Sequence, residues 1–275
     1  MPELPETETI KRELEATVVG LRITGVDVPI ERVLRMDAAE FARRVEGTTI
    51  TGAGRRAKII MLYLSSGETL LFHLMMAGSL LYQPASMERK EKTQVVFVLD
   101  NGYELRYKDF RLFGYVKLLS EADVSQAPEF AHLGPEPLGD DFTLDVLRER
   151  LGRRPRACIK ALLLDQSFVA GLGNIYVDEI LFYARVHPLR RAGSLKAAES
   201  ERMYEGIRSI LSRAIAERGS SFSLFVDLFG NPGNYHNLLS VYGQTGKPCP
   251  GGCPGVVEKI KVAGRGTHIC ARCQK

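Results

Sequence analysis

The chain has 275 residues, 45% of them hydrophobic and 25% charged, with 37 Lys and Arg against 33 Asp and Glu for a formal net charge of +4. That length suits about two domains of roughly 100–200 residues each, and the apolar content excludes disorder as the main state. No run reaches the ~18 uncharged apolar residues of a membrane span, and MPELPETETI opens on acids instead of an apolar leader, so a soluble, cytoplasmic protein is expected.

After the opening prolines, Ile10, Leu14 and Val18 recur every fourth residue among Glu8, Lys11, Arg12, Glu13 and Glu15. This predicts a helix with one apolar face, and Pro5 suits its first turn. From Leu21 to Leu119 the pattern turns alternating and β-branched, predicting strands over Leu21–Val28, Lys58–Leu64, Thr69–Tyr82, Gln94–Leu99 and Tyr103–Tyr107. Ser65-Ser66-Gly67 and Asp100-Asn101-Gly102 read as hairpin connections, so residues 1–120 form a β-sandwich or barrel carrying one N-terminal helix. Residues 121–142, rich in Pro, Gly and acids, are the expected linker.

Helical spacing follows in 143–240, over Asp145–Leu151, Ala157–Leu164, Ile175–Ala184 and Leu195–Arg218. Gly171-Leu172-Gly173-Asn174 breaks the second helix from the third, with Asn174 as the expected N-cap. Residues 219–240, rich in Gly, Ser and Asn, suit a mobile loop. The class is therefore α+β in two domains, ending in a cysteine-rich segment over 241–275.

That last segment reads Cys249-x3-Cys253-x16-Cys270-x2-Cys273, two close pairs able to close a tetrahedral zinc site on a ribbon too small to fold without metal. One structural zinc ion is expected and no organic cofactor. Cys158 reads as a core residue. Residues 247–275 also hold six bases and one acid, a balance of +5, so the remainder of the chain is at −1. Between the pairs, Ala263-Gly264-Arg265-Gly266 places an arginine at a hairpin tip, and the surrounding charge favours a polyanion.

Pro2 can become a free secondary amine once Met1 is removed. Such an amine attacks a sugar C1′ and then serves as an electron sink, and Glu3 and Glu6 sit close enough to exchange protons. Gly54-Arg55-Arg56-Ala57-Lys58 puts three bases beside a glycine turn at the entry to a strand. Arg111 and Phe113 are expected on one strand face, with Met76 in another strand. Such a trio fills the gap where a base has left the duplex. Gly171–Asn174 before a helix, with Arg156 and Lys160 preceding it, can meet phosphate.

Together these residues resemble the bacterial formamidopyrimidine-DNA glycosylase family over essentially the whole chain. The resemblance rests on Pro2-Glu3-Leu4-Pro5-Glu6, Gly54 to Lys58, His73-Leu74-Met75-Met76-Ala77-Gly78, Arg111-Leu112-Phe113-Gly114, Asp165 to Tyr176, and Ala263 to His268 within the cysteine ribbon. It implies an N-terminal β-sandwich, a helix-two-turn-helix module in 143–240, and a zinc ribbon in 241–275. A monomer is expected to hold double-stranded DNA, containing oxidised bases or an abasic site, in the cleft between the domains. In that scheme Pro2 attacks C1′ to release an oxidised purine, and the imine undergoes β- and δ-elimination. Glu3 is the proton donor, Lys58 the acid of β-elimination, and Arg265 grips phosphate and assists δ-elimination. Met76, Arg111 and Phe113 fill the gap. His73, Lys92, Arg156, Lys160 and Asn174 bind the backbone, and Glu6, Ser220 and Ser221 are candidates for contacting the lesion.

The chain departs from the family pattern in places. Its first cysteine pair has three intervening residues in place of two, Lys92 stands where a histidine is common, Leu112 replaces a base, and Pro155 occupies an often basic position. The related endonuclease VIII group, acting on oxidised pyrimidines, is the nearest alternative, but it typically has Gly where Leu4 stands and lacks the filler trio. A catalytically inactive damaged-DNA binder on the same fold would be expected to lose Pro2, Glu3 or Lys58, and all three are present.

Overall fold

Where alternation meets a turn signal, the expected strands form, and the departures have local causes. The computed structural model describes residues 1–222 and 224–275. Its strands are β1 (Ile23–Asp27), β2 (Ile50–Arg56), β3 (Ile59–Leu64), β4 (Glu68–His73), β5 (Gly78–Pro84), β6 (Thr93–Leu99), β7 (Tyr103–Asp109) and β8 (Tyr115–Ser120). They pair antiparallel into two four-stranded sheets, ordered β1-β6-β7-β5 and β2-β3-β4-β8.

The single run expected over Thr69–Tyr82 is two strands. Leu74–Gly78 closes a turn through a 2.8 Å bond from Gly78 N–H to the Leu74 carbonyl, and Met75 adopts a φ of +47°. A side chain on Gly78 would put Cβ 2.5 Å from that carbonyl oxygen, so only glycine fits. Strand β2 escapes the alternation pattern because Gly52 and Gly54 interrupt it. Both lie under the Tyr63 ring of β3, and a Cβ at Gly54 would come 2.3 Å from the tyrosine hydroxyl.

Between the sheets, Leu62, Leu70, Phe72, Leu80, Val95, Phe97, Leu105 and Tyr107 form the core. Helix α1 (Leu4–Thr17) adds Ile10 and Leu14 to it. Helix α2 (Ala38–Val45), eight residues long, adds Phe41 and Val45 and is capped by Asp37, whose carboxylate accepts from Glu40 N–H at 2.9 Å. Each such side chain contributes about 1.5–3 kcal/mol on burial. The expected linker contains two single-turn helices, α3 (Glu121–Val124) and α4 (Pro128–Ala131).

The chain divides into two compact units, Met1–Ala131 with Glu217–Asn234, and His132–Ala216 with Tyr235–Lys275. The first therefore takes back part of the segment that the sequence places in 143–240. Specific bonds explain this. Glu6 accepts from Ser220 N–H at 2.7 Å, Glu13 accepts from Leu228 N–H at 2.9 Å, and Tyr82 N–H donates to the Leu228 carbonyl at 2.8 Å. Phe225 and Leu228 join the sandwich core. Ser223, within the expected loop, lies outside the described residues.

The second unit contains α5 (Leu144–Arg153), α6 (Ile159–Leu164), α7 (Asn174–Tyr183), α8 (Ala197–Ala216) and a hairpin of β9 (Glu258–Val262) and β10 (Arg265–Ile269). Helix α7 packs on α6, α8 and β10. Its N-cap is Gly173 and not Asn174, which is the first helical residue. Among the described residues no helix is long and apolar enough to cross a membrane.

Candidate active site and nucleic-acid interface

In the first unit, the start of α1 is built as a fixed platform. Pro2 and Glu3 are buried, and Glu6 reaches back so that one carboxylate oxygen accepts the Glu3 N–H at 2.8 Å while the other accepts Ser220 N–H. Together with the Glu3 side chain on the Glu6 N–H, this is a capping box, extended to a distant loop by Ser220. Thr7 Oγ1 lies 3.5 Å from the Ala57 carbonyl, which also accepts from Arg55 Nη1 at 2.9 Å. Ala57 holds a φ of +52° in the β2–β3 turn, and Lys58 follows in that turn, buried and placed before the strand instead of within it. Arg55 is itself clamped by Glu8 at 2.8 Å. Burial alone would raise the Glu8 carboxyl, but Arg55 and Arg12 hold it below its usual range. Sequence positions 2–8 and 54–58 thus form one polar assembly.

His73 ends β4, edge-on to Tyr115 at 5.4 Å between ring centroids. Burial, reinforced by the Lys58 charge and opposed by Glu129, pushes its imidazole down to about 4. At pH 7 the ring is therefore neutral. The folded value lies below the unfolded one, ordinarily near ~6.5, so on acidification the unfolded chain takes up the proton first. Stability should fall as pH drops from about 6.5 towards 4, by at most ~1.4 kcal/mol per pH unit from this group. Urea midpoints across that range should decline less steeply for His73→Gln than for the parent chain; equal slopes would exclude the assignment.

The filler trio is brought together. Arg111 Nη1 lies 3.5 Å from Met76 Sδ, its guanidinium carbon stands 4.9 Å from the Phe113 ring centre, and Met76 and Phe113 are 44% and 50% exposed. All three sit on turns and not on strand faces. Leu112, between Arg111 and Phe113, takes a φ of +54° and folds inward against the core, which leaves its neighbours side by side. Lys92 is exposed on the loop before β6. Of the lesion candidates, Ser220 is buried and Ser221 has its hydroxyl engaged within the loop, donating to the Phe225 carbonyl at 2.7 Å and accepting from Gly233 N–H at 2.8 Å.

In the second unit, Arg265 stands exposed beyond a turn formed by Ala263 and Gly264, both at positive φ. All six bases of the terminal segment are exposed, as is Arg156. Lys160 is different. It is 0% exposed, and its ammonium donates to Asp178 Oδ1 at 2.5 Å and Thr267 Oγ1 at 2.7 Å, so the expected phosphate contact is replaced by a buried ion pair. Asp178 Oδ2 accepts from His268 N–H at 2.8 Å, and Asn174 Nδ2 donates to the Gly266 carbonyl at 2.9 Å. The residues flanking Arg265 are thus fastened to α6 and α7.

Asp178 and Glu179 escaped the sequence reading. Glu179, whose carboxyl burial pushes up, accepts the N–H groups of Ser240, Val241 and Tyr242 at 2.8–2.9 Å, fixing the chain that leads into the cysteine segment. Their signal was available: two adjacent acids in an otherwise apolar helix must be buried with partners. Asp109 escaped the sequence reading as well.

The four cysteine Sγ atoms lie within 4.8 Å of one another, with Cys249–Cys273 and Cys253–Cys270 each at 3.5 Å. A tetrahedral site with ~2.3 Å zinc–sulfur bonds has sulfur–sulfur edges of about 3.8 Å, so the cluster fits zinc. Gly251 and Gly255 direct N–H groups at Cys249 and Cys253 at 3.3 and 3.4 Å. The extra residue in the first pair is absorbed by Gly252 at a φ of +77°. Cys158 stands apart, half-buried, donating to the Pro188 carbonyl.

Known proteins match along the whole chain. Family models match for the formamidopyrimidine-DNA glycosylase N-terminal domain over residues 1–116, the formamidopyrimidine-DNA glycosylase H2TH domain over 133–226, and the zinc finger found in FPG and IleRS over 246–275. The formamidopyrimidine-DNA glycosylases of Symbiobacterium thermophilum and Desulforamulus reducens are 47% and 43% identical over all of this chain, covering 89% and 99% of their own lengths. Among solved structures, wild-type Lactococcus lactis Fpg with DNA containing N7-benzyl-Fapy-dG matches with a TM-score of 0.93 at 36% identity over 100% of both chains. The L. lactis complex with abasic-site DNA matches with a TM-score of 0.93 at 36% identity over 99% of each. The cysteine cluster and the zinc-finger match together make Cys249, Cys253, Cys270 and Cys273 the site of one structural zinc ion. Metal analysis should return one zinc per chain, and a value near zero would refute it.

Proposed function

The chain belongs to the formamidopyrimidine-DNA glycosylase family, and from that premise we propose that it removes oxidised purines from duplex DNA and cleaves the strand at the resulting abasic site. The observation that carries this reading is the buried Pro2–Glu3 start of α1, tied to the turn holding Lys58 through Thr7, whose hydroxyl lies 3.1 Å from the Glu3 carbonyl and 3.5 Å from that of Ala57. With Met1 removed, the Pro2 nitrogen attacks C1′ of the damaged nucleotide, the glycosidic bond breaks, and Glu3 supplies a proton as the sugar ring opens. The resulting iminium withdraws electrons, so loss of a C2′ proton expels the 3′ phosphate, with Lys58 as the acid, and a second elimination expels the 5′ phosphate.

Arg265 grips phosphate and assists the second elimination, with Asn174, Arg156, Lys92 and neutral His73 as further backbone contacts. Met76, Arg111 and Phe113 occupy the space left by the extruded base and face the orphaned cytosine. Glu6 and the 220–221 backbone border the lesion, with Glu6 ordering the loop. Zinc held by Cys249, Cys253, Cys270 and Cys273 would keep the segment that bears the Arg265 hairpin folded. The enzyme acts in the cytoplasm, on the chromosome.

Borohydride added during turnover should trap the protein covalently on a duplex with 8-oxoguanine opposite cytosine. Parallel duplexes with a formamidopyrimidine or thymine glycol report lesion class. Absence of any adduct would sink the mechanism, and preference for thymine glycol would overturn the purine assignment.

A further inference from the structure

We propose that Asp109 is the positioning residue for the Met76, Arg111 and Phe113 wedge, and that it thereby sets how the enzyme engages the strand opposite the lesion. This rests on the glycosylase reading above. Asp109 ends β7 and is 0% exposed. One carboxylate oxygen accepts the Arg111 N–H at 2.9 Å, and the other accepts those of Phe113 and Gly114 at 2.9 and 2.7 Å. Bonds from a buried carboxylate to backbone N–H groups are about twice as strong as neutral ones. They hold Leu112 in a left-handed conformation, at a φ of +54°, that is unfavourable for a residue with a Cβ.

The same residue joins the other DNA-facing segments of this unit. Its N–H donates to the Lys92 carbonyl at 3.4 Å, and its carbonyl accepts from buried Gln94 Nε2 at 2.7 Å. Across the sheet it pairs with Gly78, which closes the turn bearing Met76. No side chain fits at Gly114, since a Cβ there would lie 2.0 Å from the Tyr107 hydroxyl and 2.5 Å from the His73 carbonyl. A solvent-exposed Asx turn would bind one N–H and leave its carboxylate wet. Here a dry carboxylate binds three N–H groups at the meeting point of the turns carrying Met76, Lys92, Arg111 and Phe113.

The wedge has work to do only where an opposite strand exists. The test therefore compares excision of 8-oxoguanine from a duplex with cleavage of single-stranded abasic DNA, for the parent chain, Asp109→Asn and Asp109→Ala. The ratio of duplex to single-strand rate should fall at least tenfold in Asp109→Ala and less in Asp109→Asn, whose carbonyl can still accept two of the three bonds. Discrimination between cytosine and adenine opposite the lesion should fall in the same order. Equal loss on both substrates would overturn the positioning role alone, while a parent chain inert on both would overturn the glycosylase reading and this role with it. In the parent chain the amides of Arg111, Phe113 and Gly114 should exchange slowly despite their exposed neighbouring side chains. Exchange at open-loop rates would overturn the proposal even if the variants failed to fold.

Discussion

A Pro2→Gly chain should excise 8-oxoguanine more slowly by roughly 10²-fold or more, about 2.7 kcal/mol of barrier. Two causes act together. Proline is a secondary amine, so its adduct at C1′ is an iminium that cannot shed a proton from nitrogen, whereas a glycine adduct becomes a neutral imine and a poorer electron sink. The proline ring also fixes one backbone torsion beside the helix start, and glycine surrenders that near-attack geometry. The requirement for a free amine is stricter still. While Met1 is attached, the Pro2 nitrogen is an amide conjugated with a carbonyl and carries no available lone pair. Mass spectrometry of borohydride-trapped protein should therefore find no Met1 in the adduct. A Met1-bearing adduct, or an unchanged rate in Pro2→Gly, would remove Pro2 from the chemistry.

What the sequence disclosed, and what it hid, follows from how each feature is encoded. The cysteine spacing and the Gly264-Arg265-Gly266 tip are local, and the hairpin and four-sulfur cluster stand where the spacing predicts. The helix over Ile10, Leu14 and Val18 was equally plain, because one face of it is apolar. Strand β2 was hidden, since Gly52 and Gly54 remove side chains that would collide with Tyr63 and so erase the alternation. Partnerships between distant residues were hidden more deeply. Lys160 and Asp178 are eighteen positions apart and Thr267 lies far beyond both, so an isolated lysine before a helix reads as a phosphate ligand until its burial is known. The filler trio was legible as residue types but not as geometry: a left-handed Leu112, and not strand alternation, sets Arg111 beside Phe113.

The burial of Lys160 makes a different prediction from the one its sequence position suggests. In Lys160→Met the Asp178 carboxylate keeps the His268 N–H but loses the ammonium that balances its charge in a dry site. Breaking a buried pair in this way costs about 3–5 kcal/mol, because the carboxylate loses its ammonium partner and keeps only the His268 backbone N–H and ring Nδ1, at 2.8 and 3.2 Å. The double variant K160M/D178N removes both charges and retains a carbonyl for His268, so it should recover more than half of that loss. Arg265→Ala, on an exposed tip, should change stability by less than ~0.5 kcal/mol while weakening DNA binding. Urea unfolding and duplex affinity, measured on the three variants, separate the roles. If Lys160 gripped phosphate directly, Lys160→Met would behave like Arg265→Ala, and adding Asp178→Asn would restore nothing. If it anchors the hairpin, stability and affinity should fall together in Lys160→Met and recover together in the double variant, because Thr267 lies two residues from the arginine that must be held in place.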